Sequence, residues 1–392
     1  MKRLLLIIPA LCMFACSEDA SVNLMVPMIN EDYEVLNNHE IDAAKALEYA
    51  NIYFNQTKTR FSAPLKMDYI VDKSLTRNGD ITNDTVAYII NRGDNNGFVI
   101  VSSDDRVHPL LAYSNNGTFV NEKGSIVDVE FTSLIDDYIK ENKDSYSKQF
   151  DEEYLSSCYY MNSVVDSLSQ WHQREPFNYY VIEEHLSCPV GCVPLATGII
   201  MLHCKSKFTY KGTVFNAKKI IRSIAKHHNP NYIDPSAGPF ADTTVYPYDV
   251  AIDSVALLLY WIGKDLNTTY HHLGSKTPVD SAVTFLTNLG YSIKHSNLMI
   301  PYGRSIALSD MRSGYMLYMD GRNNGSITEG HTWVADGYDI CVDSETGDTV
   351  RASIHCNWGW GGNCNGYYSS EIFEVSNYRF TKPRYNAIKL RQ

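Results

Sequence analysis

The stretch 187–204, SCPVGCVPLATGIIMLHC, places a cysteine where a loop turns into a helix. Gly191 permits a tight turn, and Pro194 is tolerated only in the first turn of a helix, so the helix is predicted to begin at about Cys192–Val193. The residues that follow are apolar almost all round, which is typical of a buried helix. The thiol of Cys192 would then lie beside free backbone N–H groups, which stabilise a thiolate and can donate to an oxyanion.

A cysteine in this position could also be a metal ligand, half of a disulfide or a small buried hydrophobic residue. The residue types of a zinc site are present, at Cys188, Cys192, His203 and Cys204. Their spacing is irregular, however, and adjacent residues on a helix point in different directions. A disulfide between Cys188 and Cys192 would close a very small loop and contribute little stability. Burial as a small hydrophobic residue suits Cys204. Of these alternatives, the role of catalytic nucleophile best explains the position of Cys192. The sequence predicts neither a bound metal nor a cofactor.

Two downstream segments supply partners for a catalytic cysteine: 329–338, EGHTWVADGY, and 355–362, HCNWGWGG. His331 follows Cys192 by about 140 residues, within the separation between nucleophile and base in papain-like enzymes. Asn357 can accept the second ring proton of a histidine and fix its tautomer. A tryptophan beside such a pair can shield the hydrogen bond from water. Each residue alone could have an ordinary structural role, but the combination indicates cysteine catalysis.

These motifs together resemble the streptopain family of bacterial cysteine peptidases, which are papain-like in fold. Upstream, the segment 171–178, WHQREPFN, resembles the family's W-x-Q-x-x-P-Y-N motif, whose glutamine lines the oxyanion hole. The stretch 93–119, GDNNGFVIVSSDDRVHPLLAYSNNGTF, is similar to the family's propeptide, a small domain that blocks the active cleft. The chain departs from the family at Pro194-Leu195, where small residues are usual, and 205–310 matches no family segment that can be placed.

The resemblance implies an α+β fold, with a papain-like domain made of a helical part and an antiparallel β part. It implies that Cys192 is the nucleophile and His331 the general base and acid. Gln173 and the Cys192 N–H would hold the oxyanion. Asn357 and Trp358 would orient and cover His331, and which of the two orients the ring stays open.

The order of elements predicts two domains in a chain of this length. A helical pattern begins at Ile41, short β-rich runs follow at 86–90, 97–101 and 110–113, and a second helix is predicted from 131 to roughly 148. We therefore expect a signal peptide at 1–16, a tether at 17–38, a small α+β propeptide-like domain at 39–150 and a catalytic domain at 151–392. The charged segment 141–153 would be a linker open to proteolysis.

The N-terminus predicts export. The apolar run from Leu4 to Phe14 is too short to span a bilayer. Together with the two cations that precede it, this run is typical of a secretory signal. The signal ends in a loose lipobox that would make Cys16 the lipidated first residue, with an ordinary signal cleaved nearby as the alternative. We expect a protein anchored by lipid at the bacterial outer membrane or cell surface, or released after maturation, with no other membrane contact.

The net charge and the cysteine content further limit the class of protein to which the chain can belong. A net charge of −11 argues against nucleic-acid binding, which needs a cationic face. Beyond Cys12 and Cys16 the chain has seven cysteines, so at least one thiol is unpaired within the chain, and the spacing fixes no disulfide. The expected function is a secreted cysteine endopeptidase made as a zymogen, which acts on proteins or peptides and is inhibited by its own propeptide domain. The alternative is a catalytically silent surface binding or inhibitor protein on the same scaffold.

Overall fold

The computed structural model describes residues 39–56, 63–75, 81–120, 132–142, 158–164, 171–228, 244–322, 330–343, 349–374 and 383–390. Two groups of elements follow one another along the chain. The first, which we call the N-terminal region (39–142), contains α1 Ala43–Gln56, β1 Leu65–Leu75, β2 Ile81–Arg92, β3 Phe98–Ser102, β4 Leu110–Ser114 and α2 Thr132–Asn142.

The second group forms the C-terminal region (158–390). Its elements are β5 Cys158–Val164, α3 Tyr179–Glu184, α4 Cys192–Cys204, β6 Phe208–Tyr210, β7 Thr213–Phe215, α5 Ala217–His228, α6 Tyr248–Asp265, α7 Val279–Asn288, β8 Tyr291–Ile293, β9 Ile300–Pro301, α8 Arg304–Arg312, β10 Met316–Arg322, β11 Gly330–Asp343, β12 Thr349–Asn357, β13 Gly366–Ser369, a 3₁₀ turn Ser370–Glu374 and β14 Arg384–Leu390.

One antiparallel sheet runs through both regions. Its 12 strands include the continuous order β1-β2-β3-β4-β13-β12-β11-β10-β14-β8, with β5 paired to β11 and β9 paired to β14. The regions meet where β4 pairs with β13, with Tyr113 opposite Tyr367 and Ala112 opposite Tyr368. A shared apolar core reinforces this junction, because Phe98 and Phe119 pack in one cluster with Trp358 and Tyr368.

Helix α4 is the centre of the second core. The ten residues from Val193 to Leu202 are buried against α5, α6, α7 and the face of the sheet. Gly198 allows α6 to approach closely, since a Cβ there would lie 2.6 Å from Cδ2 of Leu259. This burial explains why the sequence is apolar all round the helix, and it fixes the position of the first residue, Cys192.

The elements predicted from the sequence are present, with adjusted ends. The first predicted helix is α1, and the second is described from Thr132 to Asn142, with 143–148 outside the described residues. The three short β-rich runs lie in β2, β3 and β4, and the α+β fold class is confirmed. The signal, tether, Cys16 and the linker beyond 142 also lie outside the described residues, so the domain limits stay predictions.

In the part of the chain that the structure describes, no helix has both the length and the apolar character to span a bilayer. Within the same part, five cysteines are reduced thiols, namely Cys188, Cys192, Cys204, Cys356 and Cys364. Cys341 is disulfide-bonded. The sequence predicts at least one unpaired thiol, and the described residues include these five.

We expect Gly97→Ala to destabilise the N-terminal region by about 3 kcal/mol or more. Gly97 has φ +107°, and a Cβ there would lie 2.2 Å from the backbone oxygen of Ser114, across the β3–β4 pair. Urea unfolding followed by far-UV circular dichroism measures the loss. The matched control is Gly212→Ala, where φ is +80° but no atom lies within 4 Å. That variant should lose about 1 kcal/mol from backbone strain. Equal losses would show that the contact with Ser114 is unimportant.

Candidate active site

Cys192 is the first residue of α4 and follows Gly191, whose φ is +95°. The N–H of Leu195 donates to the oxygen of Gly191 at 3.2 Å, which closes the first helical turn. The buried hydroxyl of Tyr318, on β10, donates to the oxygen of Val193 at 3.2 Å and so ties this turn to the sheet. Burial raises the pKa of Tyr318 well above its ordinary value, and negative charge on the nearby Cys192 raises it further. The thiol is thus half-buried on a fixed helix end.

His331 lies at the start of β11, opposite Gly321 of β10, and is only 3% exposed. Its Nε2 lies 2.8 Å from the carbonyl oxygen of Trp358. Because a carbonyl can only accept, Nε2 carries the proton and Nδ1 is the basic nitrogen of the neutral ring. Burial lowers the pKa of His331 to about 4, and the hydrogen bond to Trp358 opposes this shift. The imidazole is therefore neutral at neutral pH in this state.

Three tryptophans surround His331. The ring of Trp360 stacks on the imidazole with centroids 4.8 Å apart, and Trp358 stacks between Trp333 and Trp360. A stack of this kind excludes water from the hydrogen bond between His331 and Trp358 and lowers the local dielectric constant. The ring is consequently held by one polar contact and by aromatic packing.

The tryptophan loop, residues 357–365, holds the Trp358 carbonyl in place. The Oδ1 of Asn357 accepts from the N–H of Gly359 at 3.2 Å and from Nδ2 of Asn365 at 3.3 Å. The Oδ1 of Asn365 accepts from the N–H of Trp358 at 3.0 Å. The geometry thus places a backbone carbonyl on the ring of His331, while this oxygen of Asn357 supports the loop. Which of Asn357 and Trp358 orients His331 in catalysis stays a prediction, and the contact between His331 and the Trp358 carbonyl favours Trp358.

The tryptophan loop packs against the start of α4. Gly359 has φ +72°, and a Cβ there would lie 2.6 Å from Cδ2 of Leu195. Leu195 is one of the two residues at which the chain departs from the streptopain motif, so this departure forms the contact between the helix and the loop. The N–H of Gly361 donates to the oxygen of Trp171 at 2.9 Å. The loop therefore joins α4, His331 and the segment 171–178.

Gln173 lies in that segment, beside the chain that leads to Cys192. Its backbone oxygen accepts from the N–H of Val190 at 2.9 Å, and Nδ2 of Asn178 donates to the oxygen of Cys188 at 2.9 Å. The side chain of Gln173 is half-buried. This placement suits the predicted role in an oxyanion hole, which stays a prediction.

Comparison with known proteins identifies the family of this chain. The model of the Peptidase C10 family matches residues 171–368, which is half of the chain. The chain belongs to this family. A second model, described as Spi protease inhibitor, matches residues 38–142. The resemblance noted in the sequence is therefore confirmed, together with an N-terminal domain of propeptide type.

The individual proteins that this chain resembles have low sequence identity to it. Streptopain from Streptococcus pyogenes (serotype M28, strain MGAS6180) is 25% identical over 317 residues, which cover 71% of this chain and 73% of that protein. The thiol protease/hemagglutinin PrtT from Porphyromonas gingivalis is 22% identical over 366 residues, 84% of this chain but 38% of that longer protein. A solved fragment of prointerpain A from Prevotella intermedia has a TM-score of 0.50 and 18% identity, covering 83% of this chain and 98% of the fragment. At that identity the likeness shows the fold.

The zinc alternative concerns the cysteines and the histidine within 188–204. In the described ranges, no group of three or more His, Cys, Asp or Glu side chains is arranged to hold a metal ion. His203 is half-buried, and desolvation of its ring lowers its pKa.

Sequence reasoning missed three contributors to this site: Tyr318, Trp360 and Asn365. Trp360 stands within the quoted motif, and its position two residues after Trp358 was the available signal. Tyr318 and Asn365 have no such signal, because each acts through a contact made only by the folded chain.

We expect Asn365→Ala to lower kcat of the matured enzyme about fivefold with little change in KM, because the N–H of Trp358 loses one hydrogen bond of about 1 kcal/mol. Steady-state kinetics on a peptide substrate measure both constants. The control is Asn363→Ala in the same loop, whose side chain is exposed. An unchanged kcat in Asn365→Ala would show that the loop holds the carbonyl without this side chain.

Proposed function

We propose that this protein is the exported precursor of a cysteine endopeptidase, with Cys192 as nucleophile and His331 as general base and acid. The observation that carries the proposal is the hydrogen bond between Nε2 of His331 and the Trp358 carbonyl. It selects the tautomer in which Nδ1 is basic, as a Cys–His pair requires. The position of Cys192 at the N-terminus of a buried helix supports the same assignment.

The reaction follows from these groups. The Cys192 thiolate forms a bond to the carbonyl carbon of a peptide, and the negative charge moves to the carbonyl oxygen. The N–H of Cys192 and the side chain of Gln173 would donate to this oxygen. Collapse of the intermediate breaks the C–N bond, and the leaving amine takes the proton from the His331 imidazolium. Water then loses a proton to His331, attacks the thioester and releases a carboxylic acid and the thiol.

The N-terminal region would keep the precursor inactive. It contacts the tryptophan loop directly, since the N–H of Cys364 donates to the oxygen of Thr118 at 3.1 Å and Gly117 lies against Gly362. In this state burial holds the pKa of His331 at about 4, so the imidazolium that pairs with a thiolate does not form at neutral pH. Cleavage in the interval 141–165 and release of the N-terminal region would admit water and substrate.

Export, lipid attachment at Cys16 and the use of protein or peptide substrates complete the proposal. Export and lipid attachment rest on the signal-like N-terminus, and the substrate class rests on the family. The N-terminal region would be the enzyme's own inhibitor.

The nucleophile is tested by expressing residues 17–392 as the natural sequence and as Cys192→Ala, both under reducing conditions. We expect the natural sequence to convert to a species about 15 kDa lighter, the mass of the N-terminal segment, and to gain one iodoacetamide label at Cys192. Intact mass spectrometry follows both events. The Cys192→Ala chain should stay whole.

If neither chain converts to the lighter species, limited trypsin digestion within 141–165 is used in place of self-cleavage. A trimmed natural chain that neither labels at Cys192 nor cleaves casein would overturn the proposal in favour of a binding or inhibitor protein. Labelling at a different cysteine would reject Cys192 as nucleophile.

We expect Gly366→Ala to speed conversion of the precursor at least fivefold, from about 1 kcal/mol of lost docking. Gly366 is on β13, and a Cβ there would lie 2.7 Å from the backbone oxygen of Tyr113 and 3.0 Å from Phe98 and Ser114, all in the N-terminal region. Time courses of precursor mass measure the rate. The control Gly303→Ala, where no atom lies within 4 Å, should convert like the natural sequence. Unchanged conversion in Gly366→Ala would contradict inhibition through β13.

A further inference from the structure

The backbone around Gln173 is held by hydrogen bonds on two sides. Trp171, two residues before it, is fully buried, and its backbone oxygen accepts from the N–H of Gly361 at 2.9 Å. The backbone oxygen of Gln173 itself accepts from the N–H of Val190 at 2.9 Å. These bonds place the segment between the tryptophan loop and the chain that leads to Cys192.

His172 adds a hydrogen bond that a side chain makes. Its ring nitrogen Nδ1 accepts from the N–H of Arg174 at 3.3 Å. The bond joins residue 172 to the backbone two residues on, and it closes a turn with Gln173 in the middle, as the side chains of Asn and Asp do in Asx turns. A closed turn restricts the φ and ψ angles of its middle residue, and these angles determine which rotamers that residue can adopt.

The ring of His172 is itself held in place by packing. It lies edge to face with the ring of Phe177, with centroids 5.0 Å apart. The backbone of His172 pairs antiparallel with that of Trp360, and a Cβ at Gly361 would lie 3.4 Å from Cδ2 of His172. The ring is therefore fixed between its own segment and the tryptophan loop.

The hydrogen bond requires a neutral imidazole. A ring nitrogen that accepts carries no proton, so the proton of the His172 ring is on Nε2. Burial lowers the pKa of His172, and positive charge on His228 lowers it further. Both effects favour the form of the ring that can accept from Arg174.

We propose that His172 is a positioning residue for catalysis: its Nδ1, bonded to the N–H of Arg174, directs the side chain of Gln173 toward the oxyanion. This inference rests on the proposed function, because Gln173 is the proposed oxyanion donor. His172 acts through Gln173 and takes no part in bond making. An oxyanion donor acts in the transition state, so a misdirected donor lowers kcat and leaves KM nearly unchanged.

Two substitutions separate the hydrogen bond from the packing on Phe177. His172→Asn keeps an acceptor, because the Asn Oδ1 can bond the N–H two residues on, but it loses much of the ring contact. His172→Leu keeps apolar bulk against Phe177 and has no acceptor. Each variant is made in the precursor 17–392 and matured by self-cleavage or by trypsin, and active enzyme is counted by iodoacetamide labelling at Cys192.

We expect His172→Leu to lower kcat about fivefold with less than about a twofold change in KM, since one hydrogen bond is lost. His172→Asn should stay within about twofold of the natural kcat. Steady-state kinetics on a peptide substrate measure both constants. A slower His172→Asn than His172→Leu would assign the effect to packing and overturn the proposal, as would equal losses in the two variants or no loss in either.

A double-mutant cycle tests whether the effect passes through Gln173. Gln173→Ala removes the donor, so the addition of His172→Leu should lower kcat by less than about a further twofold. A further loss of about fivefold would show that His172 acts on another group, and would overturn the proposal.

Labelling of Cys192 keeps the two proposals apart. Alkylation of the thiolate forms no oxyanion, so the rate of iodoacetamide labelling should be the same in the natural sequence and in both His172 variants. Slower labelling in His172→Leu would place its effect on the thiol and overturn the positioning role. A natural sequence that neither labels nor cleaves casein would overturn the proposed function, and the role of His172 with it. A natural sequence that does both, beside an unchanged kcat in His172→Leu, would overturn the role of His172 alone.

Discussion

A single carbonyl oxygen, that of Trp358, has to lie within hydrogen-bond reach of His331, and much of the C-terminal region serves this placement. Asn357 binds the N–H of Gly359, in the same peptide group as this carbonyl, and Asn365 binds the N–H of Trp358, in the preceding peptide group. Gly359 lets the loop approach Leu195 on α4, so the helix that carries Cys192 and the loop that orients His331 are positioned by the same contact. Backbone recognition of this kind tolerates changes in side chains, provided that the loop keeps its conformation.

The N-terminal region acts on this arrangement from outside. Its strand β4 extends the sheet, and its residues 117–118 contact the far end of the tryptophan loop. In the proposed zymogen, one loop therefore contacts both the N-terminal region and His331. The low pKa of His331 in this state is the electrostatic result of burial of the ring, which stacks with tryptophans of the C-terminal region.

The sequence predicted those parts of the site that depend on local rules or on a dense motif. The start of α4 follows from Gly191 and Pro194, and His331 and Trp358 follow from short motifs around them. A backbone acceptor leaves no mark in the sequence, so the partner of the His331 ring could not be chosen beforehand. The same holds for Tyr318, and for the pairing of β4 with β13, because these contacts join residues far apart in the chain.

The junction between β4 and β13 would have a consequence for the protein after the proposed maturation. When the N-terminal region leaves, β13 becomes an outer strand with unpaired N–H and C=O groups, next to a newly exposed Tyr367. Such an edge is a template for pairing with any extended chain, including a second enzyme molecule. With four residues, followed directly by a 3₁₀ turn, β13 offers only a short template. In the proposed mature enzyme, this short length would limit self-association through β13.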